Sequence, residues 1–246
     1  MPTPDKNKAA LEGLIAKANA ATGGDAATVT DAVDTLIAGF GQGGGVNPLD
    51  YMTNFRQAFE GVDFGGVDLV LEFGAKTAAM RGFDSTFYNA AGLKSVAIIY
   101  RGAQGVAVFC GDMFKHNMLE YELETIDFTH FADRCTISGI NQAFNGLGGL
   151  KAILGELDTS ASSYNSTFYR CAALETVRFK AGVIKYNLSF AESPNLTTET
   201  IQSIIDGLAD LTGGTAQTLT LHADVGAKLT DAQKAAASAK NWTLAY

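Results

Sequence analysis

Glu120, Glu122 and Glu124 alternate with Leu119, Tyr121 and Leu123. On a strand, that alternation places three carboxylates on one face. Two carboxylates can run glycoside hydrolysis, but the catalytic pair normally comes from separate elements straddling a cleft. A row on one strand is more simply the wet face of a half-buried strand, able at most to bind a cation weakly. His116 and Glu120 stand four residues apart, as metal ligands on a helix would, but no third ligand is evident. Gly39, Gly41 and Gly44 spell Gly-x-Gly-x-x-Gly. A dinucleotide site needs a strand before that turn and a helix after it. Here an apolar helical stripe precedes and a loop follows, so the glycines read as a linker. The three histidines (His116, His130, His222) come with no Gly-x-Ser-x-Gly elbow and no zinc-peptidase helix motif. Cys110, Cys135 and Cys171 are odd in number and widely spaced, with no Cys-x-x-Cys pair, so neither a disulfide framework nor a zinc site is expected. The expectation is a protein that is not an enzyme and carries no cofactor and no metal.

The elements that would position any site follow a repeated phrase, Phe-x5-Leu-x2-Val-x-(Ile/Phe). Phe87, Leu93, Val96, Ile98 and Phe168, Leu174, Val177, Phe179 share offsets of 6, 9 and 11 residues. Phe144, Leu150 and Ile153 keep the first two offsets, with Gly155 in place of the last apolar residue. Phe114 precedes Leu123, Ile126 and Phe128 with three extra residues, and Phe59 precedes Phe64, Val67 and Leu69 with one fewer. The leading phenylalanines lie 28, 27, 30 and 24 residues apart. A fixed period in this range marks a solenoid. Each unit predicts a turn or short helix from Phe to Leu, then a short strand with two side chains inward. One unit cannot bury its apolar face, so neighbours must stack.

If the strands stack in register, two outward ladders form one face. The first comprises Asp68, Ala97, Asp127, Leu154 and Arg178; the second comprises Val70, Ile99, Thr129, Glu156 and Lys180. Mixed apolar and charged side chains on such a face make a candidate partner-binding surface.

Flanking segments complete an α/β architecture. Residues 1–40 read as a helical hairpin for anchoring or oligomerisation, with Leu11, Leu14, Ile15 and Ala18 on one stripe and Val29, Val33, Leu36, Ile37 and Phe40 on another. Two short Ala-rich helices bury little alone, which implies a partner. Residues 41–48 form a Gly-rich linker, 49–190 the repeat region, and 191–246 a capping segment. Within the last, Ile201, Ile204, Ile205, Leu208 and Leu211 have helical spacing, Thr218 to His222 alternates as a strand, Thr230-Asp231-Ala232-Gln233 is a capping box, and Trp242 to Tyr246 alternates again. The 246 residues carry 18 basic and 26 acidic groups, a net charge of −8. That balance argues against nucleic-acid backbones and anionic lipid as partners. No apolar run reaches membrane-spanning length, and the opening Met1-Pro2-Thr3-Pro4-Asp5 lacks the basic and apolar regions of a secretory signal.

Thr167-Phe168-Tyr169-Arg170-Cys171-Ala172-Ala173-Leu174-Glu175-Thr176-Val177 resembles the BspA-like leucine-rich repeat, which typically reads Ala-Phe-x-x-Cys-x-x-Leu-x-x-Ile. Ala143-Phe144 and Thr86-Phe87 match its start, while Ala90 and Leu147 occupy the cysteine position. The resemblance covers roughly residues 50 to 190. It implies an irregular leucine-rich-repeat solenoid and a surface or adhesive role; related repeats also occur in bacteriophage proteins. Leu14 to Ala20 with Thr30 to Gly39 is similar to the start of phage tail or baseplate-associated proteins, and Leu229 to Lys234 with Asn241 to Leu244 to the end of phage-associated leucine-rich-repeat proteins. The resulting expectation is a non-enzymatic virion structural protein, made in the host cytoplasm. It would be held to other virion proteins by residues 1–40, present in several copies or as a homo-oligomer, and in contact with a neighbouring protein, a host-surface protein or a glycan. The alternative is a bacterial cell-surface adhesin.

Overall fold

The computed structural model describes residues 54–74, 82–117 and 122–246. The expected N-terminal hairpin and Gly-rich linker, and Leu119, Glu120 and Tyr121 of the carboxylate row, lie outside the described residues. The described chain is mixed α/β, with parallel strands in sheets and few helices. Five strands make the largest sheet, in the order β1 (Asp63–Phe73), β2 (Ala91–Tyr100), β4 (Thr125–Asp127), β6 (Ala152–Leu157) and β7 (Thr176–Phe179). Every neighbouring pair in it is parallel. Parallel neighbours require crossovers, and the intervening segments supply them. Some carry β3 (Val106–Phe109) and β5 (Cys135–Gly139), which pair in a second sheet that the repeat phrase does not announce.

Strand formation follows the alternation. In β2, Leu93, Val96, Ile98 and Tyr100 are buried, while Ser95, Ala97 and Ile99 face the other way. Val177 and Phe179 do the same in β7. The leading phenylalanines are buried and stacked in sequence order. Ring centroids are 5.3 Å apart for Phe59–Phe87, 4.9 Å for Phe87–Phe114, 6.3 Å for Phe114–Phe144, 5.5 Å for Phe144–Phe168 and 4.5 Å for Phe168–Phe190, all near parallel. The turns around them are joined as well: the amide of Phe59 donates to the carbonyl of Thr86, Phe87 to Met113, Phe114 to Ala143 and Phe144 to Thr167. Thr86 and Thr167, buried just before their phenylalanines, donate their hydroxyls to the carbonyls of Phe55 and Ile140 one unit earlier.

Two strands depart from the simple spacing. In β1, Leu69 stands opposite Val96 and Leu71 opposite Ile98, so the inward pair falls two residues later than Val67 and Leu69. Register shifts on either side of Val67 absorb the extra length, a β-bulge that counting residues does not reveal. In β6, Leu157 rather than Gly155 takes the last inward position, opposite Phe179. Gly155 has φ +89°, and a Cβ there would lie within about 3 Å of the Phe128–Thr129 backbone, so glycine lets β6 bulge against its neighbour.

The C-terminal third follows its local signals. Helix α2 (Thr198–Gly207) starts at Thr197, whose hydroxyl accepts from the Thr200 amide; the helix buries Ile201, Ile204 and Ile205 and lies beside β7. A three-stranded parallel sheet runs β10 (Trp242–Ala245), β9 (Gln217–Leu221), β8 (Leu188–Phe190). Helix α4 (Asp231–Ala239) opens on the expected capping box: Thr230 accepts from the Gln233 amide, and the Gln233 side chain accepts from the Thr230 amide. Two four-residue helices, α1 (Thr129–Ala132) and α3 (Ala223–Gly226), complete the set.

Candidate functional site: the exposed sheet face

The outer face of the five-stranded sheet brings most of the expected ladder residues together, in a modified register. Ala97, Asp127 and Leu154 stand on adjacent strands as expected. Val70 is opposite Ala97, and Asp68 is opposite Ser95, one step earlier along the face than the spacing predicts. The β1 bulge causes that offset. Arg178 is opposite Glu156 rather than Leu154, because β6 bulges between them. Thr129 leaves the face altogether: it is the first residue of α1, its amide accepted by the Asp127 carboxylate at 2.8 Å. Lys180 lies just past β7 and pairs with Asp158 at 3.2 Å. Ile99 stands opposite Glu72, which pairs with Arg101 at 2.9 Å.

The arrangement mixes apolar and charged side chains, with Asp127 between the apolar residues of β1 and β2 and Leu154 of β6. Val70, Ala97 and Ile99 are half-buried, and Leu154 is 39% exposed. Around them stand Asp68, Glu72, Arg101, Glu156 and Arg178. At the end where the chain enters the strands, Lys94, Glu124, Lys151 and Glu175 occupy successive steps. The Glu124 amide donates to Lys94, the Lys151 amide to Glu124 and the Glu175 amide to Lys151. Their signs alternate, and Lys151 reaches Glu124 at 2.9 Å. Opposite charges side by side favour this strand register over its neighbours, although one exposed pair adds little stability. The spacing that predicts the inward residues also reaches this charge ladder, one position after the repeat leucines Leu93, Leu123, Leu150 and Leu174.

Glu122 and Glu124 precede β4, and Glu124 is engaged by Lys151, so the described part of the carboxylate row does not run along a strand. An open cleft of about 580 Å³ lies between β1, β2 and the start of β4, lined by Asp68, Lys94, Ser95, Glu122, Glu124 and Thr125. The Ser95 hydroxyl donates to Asp68 across it at 2.7 Å. Among the described residues, no group of three or more His, Cys, Asp or Glu side chains could hold a metal ion. His116 is buried, and its amide donates to the Asn145 carbonyl at 2.8 Å. The three cysteines are free and buried. Burial pushes the Cys135 and Cys171 thiols up to about 12 and raises Cys110 further. The Cys171 thiol donates to the Phe144 carbonyl, 3.1 Å away in the preceding unit. These are packed side chains with inert thiols. Among the described residues, no helix is long and apolar enough to cross a membrane. In comparisons with known proteins, no family model, curated sequence or solved structure matches the chain significantly.

Proposed function

We propose that residues 49–190 form an irregular leucine-rich-repeat solenoid of the BspA-like kind, with residues 191–246 closing one end. On this reading the protein is a non-enzymatic structural component of a bacteriophage particle, at a tail, baseplate or other exposed position. It contacts a neighbouring virion protein or a host-surface protein through the outer sheet face. The observation that carries the binding role is the face itself: apolar Val70, Ala97 and Ile99 on one side of Asp127, exposed Leu154 on the other, with charges around them on strands held in fixed register. Apolar side chains bordered by charged ones suit a protein interface. The continuous phenylalanine stack supports the repeat architecture, because each ring packs on its counterparts in the adjoining units. The virion setting is supported by the resemblances of residues 14–20, 30–39 and 229–244. Several copies on one particle would raise avidity even where each contact is weak.

Mass spectrometry and immunogold labelling of purified particles test the setting. Finding the protein in particles supports it, and its absence from them refutes it. Deleting residues 1–45 tests the anchor: a soluble, monomeric remainder from a full chain that assembles supports anchoring through residues 1–40. The Thr167 to Val177 phrase, with Cys171 buried at the position that the repeat gives to cysteine, favours a second reading, a bacterial cell-surface adhesin. Labelling on the bacterial envelope instead of the particle would establish that alternative.

A further inference from the structure

The turns that carry the stacked phenylalanines display a second surface whose chemistry differs from that of the sheet. In four of these turns the residue after the phenylalanine is half-buried or exposed. Tyr88 follows Phe87, Lys115 follows Phe114, Asn145 follows Phe144 and Tyr169 follows Phe168. Tyr169 is 42% exposed, with the Arg170 guanidinium 5.1 Å from its ring centroid. Tyr88 is half-buried, with the Lys115 ammonium 5.6 Å from its own ring and its hydroxyl accepting from the Asn117 side-chain amide at 3.0 Å. The two tyrosines are three turns apart, roughly 15 Å at the usual spacing of hydrogen-bonded strands. Between and beside them stand amides. Asn89 uses its side-chain oxygen to accept the Asn117 amide at 3.0 Å; among the described residues, its NH2 group donates to no protein acceptor. Asn145 makes one long contact, 3.5 Å, to Gln142. Lys115 is neutralised by Asp112 at 3.1 Å.

This strip has no apolar centre, because its apolar side chains all point inward into the ring stack. That disfavours a protein partner. It is nearly neutral on a chain of net charge −8, which gives no attraction to a strongly charged ligand of either sign. What remains is rigid tyrosine faces with a polar tip and amides that both donate and accept, a combination suited to hydroxyl-rich ligands with C–H faces. From this we infer that the turn strip from Tyr88 to Tyr169 is a binding site for a neutral oligosaccharide a few sugar units long. The ligand lies across the turns, stacks on Tyr169 and Tyr88, and exchanges hydrogen bonds with Asn89 and Asn145. The inference rests on the proposed role in surface contact, and gives that contact a glycan component on a face separate from the sheet.

The test is binding of the full-length protein to an array of neutral, sialylated and sulfated oligosaccharides. A neutral oligosaccharide retained by the wild type should lose about tenfold in affinity on Tyr169→Ala and on Asn145→Ala. Tyr169→Phe, which keeps the ring, should retain most of the binding, and unchanged thermal melting should show that each variant is folded. The sheet-face variant Leu154→Glu should bind the glycan as the wild type does. The inference is overturned if no neutral oligosaccharide binds, if only acidic ones do, or if Tyr169→Ala binds normally. If Leu154→Glu abolishes incorporation into particles while the array stays blank, the glycan inference falls and the proposed protein contact stands.

Discussion

Replacing Phe144 with alanine removes a ring from the middle of the stack. Phe144 is 1% exposed, with Phe114 at 6.3 Å on one side, Phe168 at 5.5 Å on the other and Phe128 at 6.2 Å. Truncating a fully buried phenylalanine to alanine costs about 3–5 kcal/mol, of which each ring pair contributes about 0.5–1.5 kcal/mol beyond the area it buries. Against a domain stability of about 5–15 kcal/mol, that loss removes a large part of the whole. Urea unfolding followed by far-UV circular dichroism should therefore show a markedly lower midpoint. The sharper version is a double-mutant cycle with leucine, which keeps apolar volume and removes the ring. Phe144→Leu and Phe168→Leu, which are neighbours, should couple by about 0.5–1.5 kcal/mol. Phe87→Leu and Phe168→Leu share no ring neighbour, so they should add to within about 0.5 kcal/mol. If the neighbouring pair couples no more strongly than the separated pair, the rings do not act as a continuous stack. The repeat would then be a coincidence of spacing among ordinary core residues.

Gly146 has φ +85°, and a Cβ there would overlap the carbonyl oxygen of His116, so Gly146→Ala should cost roughly 3 kcal/mol or more by chemical denaturation. Gly182→Ala, at φ +70° with open space around it, should cost about 1–2 kcal/mol. Thr230→Ala removes the capping box of α4 and should lower stability by about 1 kcal/mol in the same assay. Cys135 and Cys171 titrate near 12 in the fold, from an ordinary thiol value of 9.0, and Tyr164 near 12 from 10.0, each raised chiefly by burial. The unfolded chain therefore releases these protons first. Their contribution is intact below about pH 9 and is lost as pH rises toward about 12, so the urea midpoint should fall across that window. It should fall less steeply in the Cys135→Ala/Cys171→Ala double variant. In the folded protein at pH 8, Cys171 should resist a thiol reagent that labels it fully in urea.

How far the residues themselves announce this fold depends on the range of the signal. The capping box at Thr230 and the last two strands are local patterns that appear where they lie, and the helix starting at Thr198 does too, but it stops at Gly207, so Leu208 and Leu211 of its expected spacing fall outside it. The repeat spacing locates the buried phenylalanines and the clear strands β2 and β7, because burial on one face imposes a period of two. Register between strands is not local. The bulges in β1 and β6 add residues that a count along one chain cannot assign to either side, so Asp68 and Arg178 each move one step. Thr129 is misplaced for a different reason: three-residue β4 is too short for alternation to show where it stops. The β3–β5 pair escapes because its residues carry no repeated phrase, and their pairing depends on where the larger sheet brings the chain back.

Five residues two positions before the leading phenylalanines, Gln57, Ser85, Asp112, Gln142 and Ser166, hold φ between 50° and 56°. That left-handed backbone costs a non-glycine residue about 1–2 kcal/mol, so a side chain must be useful there to be preferred over glycine. Three of the five reach across the turn to the residue after the phenylalanine. Gln57 donates to Glu60 at 2.8 Å, Asp112 pairs with Lys115 at 3.1 Å, and Gln142 accepts from Asn145 at 3.5 Å. The other two are serines, too short to reach, and they stand in the two turns where the facing residue is Tyr88 or Tyr169. There the turn is closed by backbone alone, with the Tyr88 amide donating to Ser85 and the Tyr169 amide to Ser166. The same backbone position thus ties down the displayed residue where it is charged or an amide, and makes no side-chain contact with it where it is a tyrosine, whose ring instead meets a cation, Lys115 at Tyr88 and Arg170 at Tyr169. Packing of the core requires only the phenylalanine between them, so this division bears on what the turns display. If Ser166→Gln clasps Tyr169 and weakens oligosaccharide binding without lowering stability, a tyrosine left unclasped by the turn is the feature that the turn preserves.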